Sequence, residues 1–428
     1  MLMNILLVGN GGREHALAWK IKQSTPQAKL FSAGTNAGIL SLADYVQLDE
    51  NNFTEIAKFC TTRKIDLVVV GPEAPLARGL VNELKKESIP VFGPTKEAAR
   101  IESSKSFAKE FMIRHNIPTA SFASFDSSQE TKAMEYISTL NPPIVVKADG
   151  LAAGKGVVIC NSHDEARSTV KSMFSGIFKE AGKKVVIEEY LEGDEASILA
   201  LTDGSDYIIF PTAQDHKRIF DNDQGKNTGG MGSYAPTPLI SNDLIAEIEA
   251  SIIRPAIKGM ADEGYPFAGC LYAGLMIHQN KPKVVEFNCR FGDPETQAVL
   301  PLLQGDFSSL LYSIAEGKLN KSYYAGYENK YACCVILASK GYPDSFEKGF
   351  EITGIENAEN SGCIVFHSGT KKLNGKIVTD GGRVLGVVGI SPSLEASIAK
   401  AYEGAQLINF QNKYYRTDIG KKGLRYIK

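Results

Sequence analysis

The 428-residue sequence contains no run of about 18 apolar residues and no charged start leading into a long apolar stretch. It therefore offers neither a spanning helix nor a secretory leader, and a soluble, cytoplasmic protein is expected. An excess of charge of either sign is also missing. Lys and Arg number 47 against 49 Asp and Glu, which leaves no broad basic field for nucleic acid or an anionic membrane, so any anion must be bound locally. Cysteines are few: the seven are scattered, odd in number and without the spacing of a zinc site or redox pair. Reduced, buried thiols are expected, including the neighbours Cys333 and Cys334 in their apolar run. No fixed-period repeat and no low-complexity segment interrupts the chain.

One further absence decides between ligands. The apolar run Ile5 to Val8 and the helical pattern opened by Ala16, Leu17 and Trp19 flank GNGGRE, a phosphate-binding context between strand and helix. A dinucleotide fingerprint requires a third glycine, and Glu14 stands in its place. It also requires an acid about 20 residues on, where KLFSAGTN supplies only Ser32, Ala33 and Gly34. A nicotinamide cofactor fails on both counts. What survives is a set of backbone N–H groups at a helix start, at Gly11 and Gly12 with Arg13 beside them, suited to one phosphate or carboxylate.

A chain of this length exceeds one hydrophobic core, and several domains around a shared cleft are expected. Over the first hundred residues the runs ILLVG, DLVVVGPEAPL and PVFGPT alternate with amphipathic stretches, the pattern of a parallel, doubly wound sheet. Ligands collect at the carboxyl ends of such strands, where Glu73 could accept from sugar hydroxyls or serve as a surface acid. A helix capped near Ser103 or Ser104 and stopped by Asn116 and Pro118 leads into PIVVKADG, GVVIC and KVVIEEYL, three strands around one helix that suggest a small mixed sheet. NTGGMGSYAPTP reads as a mobile loop. The runs YACCVILAS, GCIVFHSGT and GGRVLGVVGIS, with a hairpin at Asn374-Gly375 and a helix from Ser393, close the chain as a β-rich α+β domain. The expected class is α/β and α+β multidomain: residues 1–103 parallel α/β, 104–191 linker helix and small lid, 192–326 a larger unit, and 327–428 the C-terminal domain.

Three stretches carry chemistry. In VVKADGLAAGKGVVI, Lys147 ends a strand and Lys155 sits in a glycine turn before the next one. The spacing is not that of a Walker loop, and no helix follows; strand, glycine loop, strand instead lays N–H groups and two lysines over a polyphosphate as a lid. In KVVIEEYLEGDEAS, a strand leads to Glu188, Glu189, Leu191 and Glu195, a connecting segment whose backbone could face a planar base and whose Glu195 could reach ribose hydroxyls. In VEFNCRFGDPETQ, strand alternation places Glu286 and Asn288 on one face, two oxygen donors suited to Mg²⁺ completed by phosphate oxygens and water. Arg290, two further along, has the fork that grips a carboxylate. QDHKR adds Asp215, His216, Lys217 and Arg218; His216 is given no catalytic role.

These blocks, in this order, resemble the ATP-grasp superfamily and, more narrowly, the glycinamide ribonucleotide synthetases of purine biosynthesis. The resemblance runs nearly end to end through GNGGREHALAWK, DLVVVGPEAPL, FGPT, VVKADGLAAGKGV, IEEYLEGDEAS, QDHKR, NTGGMGSYAP, LYAGLM, VEFNCRFGDPETQ and GGRVLGVV. It implies ATP between the lid and the larger unit, with Lys105, Lys147 and Lys155 on its phosphates, Glu188, Glu189 and Leu191 along its adenine, and Glu195 on its ribose. It further implies Mg²⁺ or Mn²⁺ on Glu286 and Asn288, and glycine held by Arg290 with Asp215. Phosphoribosylamine would bind in the first domain, its phosphate near Gly11, Gly12 and Arg13 and its ribose near Glu73. Arg290, Asp215 and Lys155 are thus the implied catalytic residues of a monomeric ligase acting on small molecules. Another carboxylate–amine ligase of the superfamily, or a nucleotide-binding regulatory module, are the alternatives. The strand LYAGLMI supplies no acid where many of the superfamily carry a further metal ligand.

Overall fold

The computed structural model describes residues 3–151, 156–177 and 179–427. Its first unit is a five-stranded, wholly parallel sheet: β1 (Asn4–Val8), β2 (Lys29–Ser32), β3 (Asp44–Tyr45), β4 (Leu67–Val70) and β5 (Val91–Phe92), in the order β3-β2-β1-β4-β5. β4 reads LVVV and is buried at all four positions, as a strand covered on both faces must be. The order reverses between β1 and β4, and a crevice opens beyond their carboxyl ends, at Gly9–Gly11 and Gly71–Glu73.

The next unit is a four-stranded sheet, β6 (Phe122–Asp126), β7 (Ile144–Ala148), β8 (Val157–Cys160) and β9 (Lys184–Glu189), in the order β6-β9-β7-β8. Every neighbouring pair in it is antiparallel, which corrects the expected mixed sheet. β7 and β8 are only eight residues apart in sequence, too few for the crossover that a parallel pair needs, and β9 inserts between β6 and β7, two strands that run the same way. The sequence reading also passed over β6 and the helix Glu130–Thr139 that follows it. The linker helix is Lys105–Arg114, with Ser104 as its cap, accepting from Phe107 N at 3.2 Å. Phe125, Ile137, Ile144, Val170 and Ile187 give the lid a core of its own.

Beneath the lid lies a sheet of order β11-β10-β16-β17, built from β10 (Asp194–Thr202), β11 (Tyr207–Ile209), β16 (Gly269–His278) and β17 (Lys281–Asn288). Its apolar side merges with that of the first unit, where Leu6 and Val68 share a cluster with Ala273 and Phe287. Between these strands the chain makes β12 (Gln214–Asp215), a hairpin of β13 (Arg218–Phe220) and β14 (Gln224–Asn227), and β15 (Gly232–Ala235). β15 is buried throughout, so the second half of the expected mobile loop is an interior strand. The reason is close approach: a side chain at Gly230 or Gly232, both at positive φ, would collide with Pro294 or with the carbonyl of Cys334.

The pair β18 (Leu303–Gly305) and β19 (Tyr324–Tyr327) precedes β20 (Tyr331–Ser339), β21 (Ile364–His367), the hairpin of β22 (Thr370–Leu373) and β23 (Lys376–Thr379), β24 (Arg383–Ser391) and β25 (Lys413–Tyr414). Asn374 and Gly375 form that hairpin's turn with φ of 50° and 81°, the left-handed pair that a two-residue turn requires. The final sheet runs β12-β15-β20-β24-β21, with β25 beside β20, so strands from before residue 236 and after residue 330 share one sheet. All seven cysteines are free and buried, as expected. Among the described residues no helix is long and apolar enough to cross a membrane.

Candidate active site

A cavity of about 1050 Å³ lies between the lid and the sheet beneath it, and its wall extends to Arg13 and Glu73 of the first unit and to Arg383 and Lys422 of the last. From the lid side, β7 turns Lys147 inward until only 4% of it is exposed. Its Nζ pairs with Glu188 Oε1 at 2.8 Å and donates to Val285 O at 3.2 Å. Lys109, on the linker helix, pairs with the other oxygen of Glu188 at 2.8 Å, and burial pushes its ammonium down to about 8. Glu188 is thus clamped between two lysines. Glu189 accepts from Ser121 N at 3.0 Å and pairs with Lys283 at 3.2 Å, so both carboxylates are engaged, and the strand end at Tyr190–Leu191 is left facing the cavity. Lys105, at the start of the same helix, donates to Gly150 O at 3.1 Å; burial lowers its pKa. Lys155 lies outside the described residues.

On the opposite wall, β17 is bulged at Val285: Gly274 faces Glu286 while Leu275 already faces Val284. After the bulge alternation resumes, and Glu286 and Asn288 share the cavity side with their cross-strand partners Gly274 and Tyr272. Burial works to raise the Glu286 carboxyl, but Lys217, Lys147, Lys105 and Arg290 together hold it below the ordinary carboxylate range. Two converging oxygen donors, one kept anionic, suit Mg²⁺ or Mn²⁺ that takes its remaining ligands from phosphate and water. Among the described residues no group of three or more His, Cys, Asp or Glu could hold a metal by itself.

Arg290 is already spoken for on two sides. Its Nη2 pairs with Glu102 Oε1 at 3.0 Å and donates to Asn288 Oδ1 at 3.2 Å, while its Nε meets Glu73 Oε2 at 3.3 Å. The guanidinium therefore ties the crevice of the first sheet to the end of β17. Asp215, half-buried on β12, faces the same space. Burial, reinforced by Glu295, Glu195 and Glu286 and opposed by Lys217, pushes its carboxyl up to about 8. Glu195 is joined to Lys217 Nζ at 2.6 Å.

At the glycine turn the chain supplies its own anion. Gly11 caps the helix Gly12–Ser24, and its N–H donates to Glu14 Oε2 at 2.6 Å; Arg13 Nε pairs with Glu14 Oε1 at 2.6 Å. Gly9 makes room for this: a Cβ there would stand 2.7 Å from Glu14 Cγ and 2.8 Å from Pro72 Cδ. Gly12 lies under Ser368 and Gln297, and of the three residues expected to hold a phosphate Arg13 lines the cavity. Sequence reasoning missed Lys109, Glu102 and Glu295, the last buried and accepting from Ser197 Oγ at 3.0 Å and Tyr272 OH at 2.8 Å. Glu295 stood inside a quoted motif; Lys109 and Glu102 carry no local signal.

An antiparallel lid over a second sheet that ends in a carboxylate–amide pair defines the class: this is an ATP-grasp protein. The chain belongs to the phosphoribosylglycinamide synthetase family, whose N domain matches residues 3–102, whose ATP-grasp (A) domain matches 103–296 and whose C domain matches 332–422. It is 46% identical to the phosphoribosylamine–glycine ligase of Mesorhizobium japonicum over 98% of both chains. It is also 46% identical to the human trifunctional purine biosynthetic protein adenosine-3, over all of this chain but only 42% of that protein's length. A solved phosphoribosylamine–glycine ligase from Thermotoga maritima superposes with a TM-score of 0.84 at 36% identity, covering 97% of this chain and 100% of that one.

Proposed function

We propose that the protein ligates glycine to 5-phosphoribosylamine at the expense of ATP, giving glycinamide ribonucleotide, ADP and phosphate. The observation that carries this reading is the convergence, in one cavity, of buried lysines for a triphosphate, an oxygen pair for a cation, and a guanidinium beside a half-buried acid for an amino acid. In this reading the protein works as a monomer in the cytoplasm, with one chain supplying all these groups.

A carboxylate is a poor acceptor for an amine until its oxygen becomes a good leaving group. In this reading Arg290 orients the glycine carboxylate towards the γ-phosphate, and Asp215 holds the ammonium. Lys105, Lys147 and Lys155 offset the charge that gathers on the transferring phosphoryl group. Glu286 and Asn288 would hold Mg²⁺ or Mn²⁺, which supplies further neutralisation of the phosphate oxygens when bound. Glycyl phosphate forms; the amine of phosphoribosylamine, brought in from the crevice near Arg13 and Glu73, displaces phosphate. The lid keeps water from the acyl phosphate.

Two measurements test this. ADP release should require glycine and phosphoribosylamine together, and ¹⁸O in the glycine carboxyl group should appear in the released phosphate; label absent from phosphate would exclude glycyl phosphate. The second is a pH profile. With its pKa near 8, Asp215 is protonated below that pH and ionised above it, and only the ionised form attracts an ammonium. The KM for glycine is therefore expected to fall as pH rises towards about 8, and Asp215→Asn to flatten the profile. A profile unchanged by that substitution would remove Asp215 from the glycine site. By the same shift, the unliganded protein loses stability as pH climbs from the ordinary carboxyl range through 8, because the unfolded chain gives up that proton first.

A further inference from the structure

The chain beyond β24 does more than complete its own sheet. Between Tyr414 and Gly420 it grips the residues on either side of Lys217. Gly420 N donates to His216 Nε2 at 3.4 Å, Arg416 Nη1 to the carbonyl of Arg218 at 3.0 Å, and the Tyr414 hydroxyl to the carbonyl of Ile219 at 2.8 Å. Past the strand, Thr417 N donates to Asp221 Oδ1 and Asn222 N to Asp418 Oδ2, both at 2.8 Å. Arg416 is the hub of this contact. Its side chain is fully buried, its Nε and Nη2 take the Asp418 carboxylate as a fork at 2.8 and 2.7 Å, and its Nη1 also reaches Asp223 Oδ1 at 3.1 Å. A planar fork engaged through all three of its nitrogens fixes position far better than a single charge does.

What it holds would not stay in place unaided. Asn222 and Asp223 both have left-handed backbone, with φ of 56° and 53°, a conformation non-glycine residues adopt at a cost. Arg416 is not part of the cavity wall, but Lys217, between the gripped residues, is, and it ends 2.6 Å from Glu195. We propose that Arg416 is a positioning residue of the nucleotide site, acting through residues 216–219 to set the Lys217–Glu195 pair against the ribose. The inference rests on the assignment of Glu195 to the ATP ribose.

The test is steady-state kinetics on the full chain carrying Arg416→Met, Arg416→Lys or Tyr414→Phe, with ATP and 2′-deoxy-ATP. Arg416→Met should raise the ATP KM by about tenfold, the scale of one lost charge-assisted hydrogen bond. It should also narrow the preference for ATP over the 2′-deoxy nucleotide, with glycine KM and kcat at saturating ATP changing by smaller factors than the ATP KM, since Lys217 also faces Asp215 and Glu286. Arg416→Lys, which keeps the charge without the fork, and Tyr414→Phe should show the same pattern to a smaller degree; they decide the matter if Arg416→Met does not fold. An unchanged ATP KM, or ATP and glycine KM rising together as kcat falls, overturns the inference. Glu195→Ala is the control. If it abolishes the ribose preference while the Arg416 and Tyr414 variants keep it, Arg416 has no positioning role; if Glu195→Ala itself keeps the preference, the ribose assignment beneath the inference is at fault.

Discussion

Glu286→Gln is expected to lower kcat/KM by roughly 10³-fold, the upper end of what removing one electrostatic stabiliser of a transition state costs. Two losses combine in this substitution. The amide is a weaker donor to Mg²⁺ than the carboxylate, and the four cations that hold Glu286 ionised, Lys217, Lys147, Lys105 and Arg290, lose their shared counter-charge. Gln keeps the shape of the side chain, so the bulged end of β17 should survive, while thermal stability should fall through the lost counter-charge. The signature to look for is metal dependence: half-saturation by Mg²⁺ should move to higher concentration, with partial recovery of rate at high metal. A variant with normal metal dependence would show that the cation sits elsewhere.

Arg290→Ala should have the second largest effect, and of a different kind. Loss of a buried, hydrogen-bonded charge partner for a ligand costs about 2–5 kcal/mol, so the glycine KM should rise by roughly 10²-fold while the ATP KM shifts only a few-fold. The protein should also be less stable, because Glu102, only 8% exposed at its side chain, loses its guanidinium. Burial already raises the Glu102 carboxyl above the usual range, with Arg290 opposing and Glu73 reinforcing the rise. Without Arg290 the folded-state pKa climbs further, so the stability deficit should deepen as pH increases from the ordinary carboxyl range and shrink in acid. Thermal melts across pH, alongside glycine and ATP kinetics, check both halves. A glycine KM unaltered in a folded variant would leave Arg290 as a purely structural tie between Glu73 and Glu102.

How much of this was legible beforehand depended on the range of the interaction. Three of the five parallel strands, β1, β4 and β5, the lid lysine Lys147 and the Glu286–Asn288 pair were readable because strand alternation and glycine punctuation are local properties. The β6 strand was not, because FASFD has little apolar alternation and becomes a strand by pairing with β9, 58 to 66 positions away. Partners of the cavity's charged groups were also hidden. Nothing near Glu188 shows that Lys109 and Lys147 will clamp it, and nothing near Arg290 shows that Glu73 and Glu102 will converge on it. At GNGGRE a signal existed, an acid three residues after the helix cap, which commonly folds back on the cap N–H. The glycines were read as room for a ligand; in the structure Gly9 and Gly71 also make room for Glu14.

The sharing of one sheet by β12, β15, β20, β24 and β21 bears on how this enzyme is made. Asp215 is in place only when β12 has β15 beside it, and β15 in turn borders β20, whose other neighbour ends at Ser391. A ribosome delivers the amino-terminal sheet and the lid first. The wall that carries Asp215 must wait, its edge unpaired, until the strands beyond residue 330 have emerged, so the newborn chain can collapse early yet completes the cavity only when those later strands arrive.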